Sequence, residues 1–152
     1  MVEGEFRVVI RRMELRDAPQ VSEIEKRAFS QPWPENEFAK AAQADNYIYL
    51  VAEHENKIIG YAGCVFAADE ADITNIAVDE TARRRGIGRK LLQCLIKQAA
   101  EAGLAKLFLE VRTGNAPALE LYRTLSFEQI GLRPNFYAKP VEDAILMVKI
   151  LQ

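Results

Sequence analysis

The sequence predicts an α/β fold in which seven strands form a mixed, mostly antiparallel sheet flanked by about four helices. Two observations carry this prediction. Three strand-like segments joined by short polar turns follow one another between residues 47 and 78, which is typical of an antiparallel meander. A long segment with helical periodicity comes next, and another strand-like segment follows it, so a helix joins two strands of one sheet.

Length and composition limit the classes of protein that fit. The 152 residues predict one domain over 1–152. A net charge of -2 argues against nucleic-acid binding through bulk charge. Two cysteines and one histidine lack the spacing of zinc ligands, so no metal is expected. The acidic start is unlike a signal peptide, and no apolar run reaches the ~20 residues of a membrane span. We expect a cytoplasmic protein, a monomer or weak dimer.

The first third of the chain predicts one strand and two helices. Residues 8–10 form a short β-branched strand, and Asp17 is placed to cap the helix that follows. Apolar side chains recur at helical spacing to Ala28, and the prolines of 32–34 end that helix. A second short helix is expected through Phe38.

The middle of the chain predicts the meander and its connecting helix. Strands are expected over 47–52, 58–66 and 71–78. Next comes a helix with one apolar face and one charged face, ended by Gly103 in the position of a left-handed C-cap. The apolar face carries Ile87, Leu91, Leu92, Leu95 and Ala99.

The last third predicts three strands and one helix. A strand with alternating apolar residues covers 107–112, and Asn115 can cap the helix after it. Two final strands are expected near 127–131 and 144–150.

A glycine turn precedes the amphipathic helix. Gly86 and Gly88 let backbone approach a ligand closely, and the first amides of a helix form an anion site. Four arginines surround it: Arg83, Arg84, Arg85 and Arg89. The expected ligand is a phosphate or diphosphate; the alternative is a tight turn with solvated arginines. A Walker turn is excluded because no Gly-Lys-Ser/Thr is present, and a Rossmann fingerprint because Leu91 replaces the third glycine.

The segment 83–88 resembles the GNAT acetyltransferase signature, Gln/Arg-x-x-Gly-x-Gly/Ala. The similarity runs from about 10 to 150. Further segments are similar to the branch that acetylates N-terminal alanine of ribosomal proteins: 32–33, 75–79, 109–115, 118–122, 133–137 and 142–145. One departure is Ser126, where the family usually has glycine. The resemblance implies acetyl-coenzyme A (acetyl-CoA) as donor and a small-subunit ribosomal protein as acceptor.

The resemblance also implies residue roles in cofactor binding. The strand Ile76, Ala77 and Val78 would lend backbone groups to the pantetheine arm, and Asn115 would contact the cofactor as well as cap its helix. The pyrophosphate would be held by Arg83, Arg84, Arg85, Gly86, Ile87, Gly88 and Arg89.

The resemblance implies a general base and a proton donor. Glu110 matches the base, and its alternative role is a strand carboxylate that faces solvent or forms a salt bridge, for example with Arg112. Tyr122 matches the donor of a proton to the leaving thiolate, and its alternative role is core packing. Arg133 and Tyr137, expected in a loop between the last two strands, would border the acceptor peptide.

A covalent mechanism is disfavoured by the remaining candidates. Cys64 and Cys94 are expected to be small buried side chains, and His54 an exposed one beside a turn. Direct transfer in a ternary complex is therefore expected. Two alternatives stay open: transfer to other protein N-termini, lysines or a small amine, and a non-catalytic acyl-CoA-binding module.

Overall fold

A computed structural model describes residues 6–152 and contains one seven-stranded sheet with the strand order β1-β2-β3-β4-β5-β7-β6. The strands are β1 (Val9–Arg12), β2 (Tyr47–His54), β3 (Lys57–Ala67), β4 (Glu70–Val78), β5 (Lys106–Arg112), β6 (Glu128–Ala138) and β7 (Val141–Ile150). The α-helices are α1 (Ala18–Ala28), α2 (Glu35–Gln43), α3 (Ile87–Glu101) and α4 (Ala116–Thr124). The α/β fold class, the element order and the antiparallel meander are confirmed.

Apolar clusters cover both faces of the sheet. On one face α3 and α4 bury the larger cluster, which includes Leu91, Leu95 and Tyr122. On the other face α1 and α2 bury a smaller cluster, which includes Val21 and Phe38. The apolar face predicted for α3 is the buried one, because a helix lowers its free energy by removing such a stripe from water.

The sheet opens between β4 and β5. All pairs in the sheet are antiparallel except this one, and its register covers only Glu70↔Lys106, Ala71↔Leu107 and Asp72↔Phe108. Beyond Asp72 and Phe108 the two strands run on without pairing to each other. A wedge-shaped gap therefore starts in the middle of the sheet and widens toward the C-terminal ends of both strands.

Three local expectations are corrected. Asp17 stands at the N-cap of α1 but its carboxylate accepts from Arg11 and from the Glu14 N–H, at 2.7 to 2.9 Å, and not from the helix. The last two strands are longer than predicted, so residues 133–137 lie in β6, with a register irregularity there, and not in a loop. His54 is partly buried because its ring stacks on Phe6 with centroids 3.7 Å apart.

The predictions for Gly103 and Cys64 are confirmed, and the one for Cys94 is not. Gly103 follows α3 with φ of 86°, a left-handed conformation that favours glycine. Cys64 is buried, and burial raises the pKa of its thiol to about 12. Cys94 is only half-buried, less than expected. No helix within residues 6–152 is long and apolar enough to cross a membrane.

Candidate active site

The gap between β4 and β5 is a cleft of about 990 Å³. Its walls are the unpaired halves of these two strands, the N-terminal turn of α3, one face of α4, the β6–β7 hairpin, and the chain between α1 and α2. The predicted site residues that border it are Ile76, Val78, Arg83, Arg84, Gly86, Ile87, Gly88, Arg89, Glu110, Asn115, Tyr122 and Tyr137. Ala77, Arg85 and Arg133 do not border it.

The backbone of β4 offers hydrogen-bonding groups to the cleft. In an antiparallel pair, residues alternate between those bonded to the partner strand and those whose backbone groups point away from it. The Asp79 N–H donates to the Ile59 carbonyl at 2.7 Å, so Ala77 is bonded to β3. Ile76 and Val78 therefore turn their N–H and carbonyl groups toward the cleft, where no strand pairs with them.

The glycine turn places the N-terminus of α3 at the same cleft. Gly86 has φ of 73° at the N-cap, where a side chain would be strained. A side chain on Gly88 would approach Val78 and Leu121, within 4.0 Å of each. The helix begins with no side-chain cap, so its first N–H groups are available to an anion.

The four arginines do not act as one cluster. Arg83 Nε donates to the Val78 carbonyl at 3.2 Å, and Arg89 donates to the Thr124 hydroxyl at 2.9 Å. Arg84 borders the cleft with φ of 66°. The Arg85 guanidinium instead lies 4.0 Å from the centroid of the Phe6 ring, away from the cleft. Positive charge around the turn thus comes mainly from three of the four.

Glu110 lies on β5 with its carboxylate in the cleft. The alternating burial of β5 puts Leu109 and Val111 in the core and Glu110 on the opposite face, as predicted. Loss of water around the carboxyl group raises its pKa, and Asp72 adds to this effect while Arg133 opposes it. The alternative pairing with Arg112 is wrong, because Arg112 pairs with Glu142 at 3.1 Å.

Tyr122 lies on α4 with its ring in the core and its hydroxyl at the cleft. The ring packs against Phe127, with centroids 5.7 Å apart. Among the described residues, no hydrogen bond to this hydroxyl is present. The hydroxyl oxygen is partly exposed, since it is not one of the fully buried polar atoms that lack a partner. Burial raises the pKa of this phenol to about 12. Core packing and a proton-donating hydroxyl are therefore compatible in one residue.

The far end of the cleft is built by β6, β7 and the chain after α1. Arg112 lies 4.2 Å from the ring centroid of Tyr137, and Glu142 accepts from the Gly114 N–H at 2.7 Å. The hydrogen bond from the Gly114 N–H, followed by the one from Arg112, lowers the pKa of Glu142. The Ser30 hydroxyl donates to the Lys139 carbonyl and so joins the chain after α1 to the β6–β7 hairpin.

Sequence reasoning missed Glu25, a carboxylate on α1 that borders the cleft while only 2% exposed. Its position was the available signal, because it follows Val21 by four residues and precedes Ala28 by three. That spacing puts it on the apolar face of α1. A carboxylate on such a face needs several hydrogen-bond donors.

Asn115 has the predicted capping role. Its side-chain oxygen accepts from the Ala118 N–H at 3.3 Å at the start of α4.

Within residues 6–152, no group of three or more His, Cys, Asp or Glu side chains is arranged to hold a metal ion.

Comparison with known proteins agrees with this geometry. The model of the acetyltransferase (GNAT) family matches residues 18–127. The chain belongs to the GNAT acetyltransferase family. It is 39% identical over 137 residues to ribosomal protein bS18-alanine N-acetyltransferase of Escherichia coli strain K12, covering 89% of this chain and 92% of that protein.

A second relative and a solved structure show the same similarity. A putative ribosomal protein bS18-alanine N-acetyltransferase of Bacillus subtilis is 34% identical, covering 93% of this chain and 94% of its own. The crystal structure of the ribosomal-protein-S18-alanine N-acetyltransferase from Escherichia coli superposes with a TM-score of 0.89 at 37% identity, covering 96% and 95% of the two chains. The resemblance to the family is therefore confirmed in sequence and in fold, which excludes a mere acyl-CoA-binding module.

Proposed function

We propose that this acetyltransferase moves the acetyl group of acetyl-CoA directly to the N-terminal alanine of ribosomal protein bS18. The observation that carries the proposal is the cleft, because it brings Glu110 and Tyr122 together with the free backbone edge of β4 and the N-terminus of α3. The names of relatives 34 to 39% identical over about nine-tenths of the chain support this acceptor. All these groups come from one chain, so a monomer suffices for the transfer reaction. We expect the enzyme to act in the cytoplasm and to need neither nucleic acid nor a membrane.

The residues at the donor end fit a coenzyme A thioester. The N–H and carbonyl of Ile76 and the N–H of Val78 match the amides of a pantetheine arm, while the Val78 carbonyl already accepts from Arg83. The N–H groups at the start of α3 and the nearby Arg84 and Arg89 match a diphosphate. For Arg85 only a backbone contribution remains, since its side chain lies on Phe6. When bound, acetyl-CoA supplies an acetyl group activated as a thioester.

Glu110 would take a proton from the acceptor amine. An α-ammonium has a pKa of about 7.7–8.0, so a carboxylate whose pKa is raised toward that range is a better matched base than an ordinary one. Burial raises the pKa of Glu110 in this direction. Direct removal of the proton and removal through one water both fit.

Tyr122 would return a proton at the donor side. Its phenol pKa of about 12 keeps the hydroxyl protonated at any pH at which the protein works. The thiolate that leaves the acetyl group carries a full negative charge and benefits from that proton. The absence of a competing hydrogen bond within residues 6–152 leaves this hydroxyl free to face the leaving group.

The acceptor end fits the end of a peptide chain. The Ser30–Lys139 contact spans it from the chain after α1 to the β6–β7 hairpin. Aromatic rings of Phe29, Trp33 and Tyr137 border it. An extended N-terminus can enter beneath such a bridge and pack on the rings, with Tyr137 as a contact. The Arg133 guanidinium lies 5.8 Å from the ring centroid of Phe136 and does not line the cleft. Arg133 would therefore contact the acceptor peptide only at the rim of the cleft.

A peptide panel tests the proposal. Peptides of the bS18 N-terminal sequence, with Ala, Ser, Met or Pro first, are incubated with acetyl-CoA, together with an Ala-first peptide whose α-amine is blocked and a polyamine. We expect acetylation of peptides with a free α-amine, with the highest kcat/KM for the Ala-first peptide and no transfer to the peptide whose α-amine is blocked. Transfer to the blocked peptide would indicate lysine acetylation, and transfer only to the polyamine a small-amine enzyme; either result would contradict the proposal.

A further inference from the structure

Glu25 is a buried carboxylate held by three neutral donors. Its two oxygens accept from the Trp33 N–H at 2.9 Å, from the Asn75 amide at 3.1 and 3.2 Å, and from the Tyr61 hydroxyl. No ion pair links Glu25 to a basic side chain within the described part of the chain. Burying a carboxylate is costly unless donors such as these compensate it, and removing it would leave all three donors without this acceptor.

The three donors belong to three different parts of the fold. Trp33 lies in the chain between α1 and α2, residues 29–34, which we call the acceptor segment because it forms one wall of the acceptor end. Asn75 lies on β4, directly before the residue whose backbone faces the cleft. Tyr61 lies on β3, in the centre of the sheet. Glu25 therefore connects the acceptor wall to the strand that forms the donor wall.

The strand at this connection is irregular and is held by a second tyrosine. The register of β3 and β4 shifts between Gly63 and Cys64, which leaves Thr74 as the extra residue of a bulge. The Tyr49 hydroxyl contacts Thr74 at 2.6 Å and donates to the Asn75 side-chain oxygen at 2.5 Å. Tyr49 needs Gly63, since a Cβ there would lie 2.3 Å from its ring. Asn75 is thus fixed on both sides, and its amide group can point only at Glu25.

The acceptor segment has little else to hold it. Among the described residues, its two ends are bonded to the flanking helices, Phe29 N–H to the Glu25 carbonyl and Glu37 N–H to the Pro34 carbonyl. Between those ends, the Trp33 N–H bonds to the Glu25 carboxylate, and the Ser30 hydroxyl bonds to the β6–β7 hairpin. The Trp33 ring adds packing against Phe38 and Tyr49, with centroids 5.3 and 6.1 Å apart. Segments with few buried polar contacts open most easily, so the loss of one charge-assisted hydrogen bond should be felt mainly here.

We propose that Glu25 is a positioning residue that holds the acceptor segment at a fixed distance from β4 and so shapes the site for the acceptor peptide. It touches neither the reacting atoms nor the residues that fit the diphosphate. The proposal rests on the proposed function only for the identity of the acceptor. Its consequence is that loss of the carboxylate weakens peptide use and leaves acetyl-CoA binding nearly unchanged.

A graded pair of variants tests this role. Glu25→Met removes every acceptor at similar side-chain length and should raise KM for the peptide about tenfold or more, the effect of a lost charge-assisted hydrogen bond. Glu25→Gln keeps one acceptor oxygen, and the Tyr61 hydroxyl can turn to accept from its amide. We therefore expect an intermediate rise. Acetyl-CoA affinity, measured by calorimetry, should stay within about twofold in both.

Two control variants separate position from stability. Tyr61→Phe removes one donor but leaves the bonds to Trp33 and Asn75, so it should lower thermal stability without moving the peptide KM beyond about twofold. Glu23→Gln alters an exposed carboxylate on the same helix as Glu25, whose ion pair among the described residues is with Lys26. It should change neither the thermal stability nor the peptide KM. A peptide KM that rises as much in Tyr61→Phe as in Glu25→Gln would overturn the proposal.

Trp33 is the one tryptophan of the sequence, so its fluorescence reports on the acceptor segment without any substrate. Acrylamide should quench Trp33 more strongly in Glu25→Gln than in wild type, and no more strongly in Tyr61→Phe. Unchanged quenching in Glu25→Gln would overturn the positioning role, even if Glu25→Met fails to fold. If the wild-type protein acetylates none of the peptides, the proposed function fails and the quenching result still decides the role of Glu25.

Discussion

The substitution Tyr122→Phe separates the two roles of this side chain. It removes one oxygen atom and keeps the ring that packs on Phe127. Because no hydrogen bond to the hydroxyl is present among residues 6–152, folding loses little: the free energy of unfolding should change by less than about 0.5 kcal/mol. For a chain of this length that is a shift in Tm of about 2 °C or less.

Catalysis should lose far more than stability. Removing a positioned general acid typically costs about 100-fold, or about 2.7 kcal/mol of transition-state stabilisation at 1.36 kcal/mol per decade. The loss should appear in kcat, with acetyl-CoA affinity retained. Because the phenol pKa is about 12, wild-type kcat should show no decline from Tyr122 ionisation up to about pH 10.

The assay measures initial rates of thiol release with an Ala-first peptide, alongside thermal unfolding of each variant. Tyr47→Phe is the matched control, since it makes the same chemical change outside the cleft, beside Tyr49. Wild-type kcat in a folded Tyr122→Phe protein would refute the proton-donor role and leave packing as the function of this residue. A large fall in Tm with unchanged kcat per folded molecule would refute that role as well.

Three further predictions follow from the cleft. Glu110→Gln should lower kcat/KM about 100-fold or more and remove the acidic limb that Glu110 gives the wild-type pH profile. That limb lies above the usual glutamate range because burial raises the pKa of Glu110. The Tm of this variant should not fall at neutral pH, because the folded state disfavours the ionised carboxylate; in the wild type this penalty is present above the folded pKa and is lost as pH falls from the folded pKa to the lower unfolded pKa. An unchanged pH profile would remove Glu110 from the base role. Arg84→Ala should weaken acetyl-CoA binding several-fold more than Arg85→Ala, because the Arg85 side chain lies on Phe6. Binding by Arg84→Ala should also depend less on salt concentration. Equal losses of acetyl-CoA affinity in the two variants, measured by calorimetry, would contradict the role of Arg84 at the diphosphate. Asn115→Ala should cost about 1 kcal/mol of stability through the lost cap of α4, and an unchanged Tm would show that the cap contributes nothing.

Local periodicity sufficed to predict most of the fold. The face of α3 marked by Leu91 and Leu95, and the alternation around Glu110, are local patterns that the sequence displays directly. Asp17 shows where local reasoning fails. Its side chain is in capping position, but Arg11 from β1 and the Glu14 N–H occupy its oxygens in place of the first amides of α1.

The open sheet and the Glu25 cluster depend on pairing between distant segments. The cleft exists because β4 and β5 stop pairing after Asp72, and nothing in either strand alone marks that point. Tyr61 and Asn75 lie 36 and 50 residues after Glu25 along the chain, and they meet it through the packing of α1 on the sheet. The pKa of Glu110 likewise depends on the walls around it and not on its neighbours in sequence.

Transfer of acetyl to an N-terminal amine in the cleft can be tested on the intact acceptor. The most direct measurement treats purified, unacetylated bS18 of the same organism with this enzyme and acetyl-CoA, and locates the acetyl group by fragment mass spectrometry. We expect acetyl on the α-nitrogen of the N-terminal alanine, at a rate that falls about 100-fold or more in Glu110→Gln. Acetyl groups found only on lysine side chains, or an equal rate in Glu110→Gln, would contradict this mechanism.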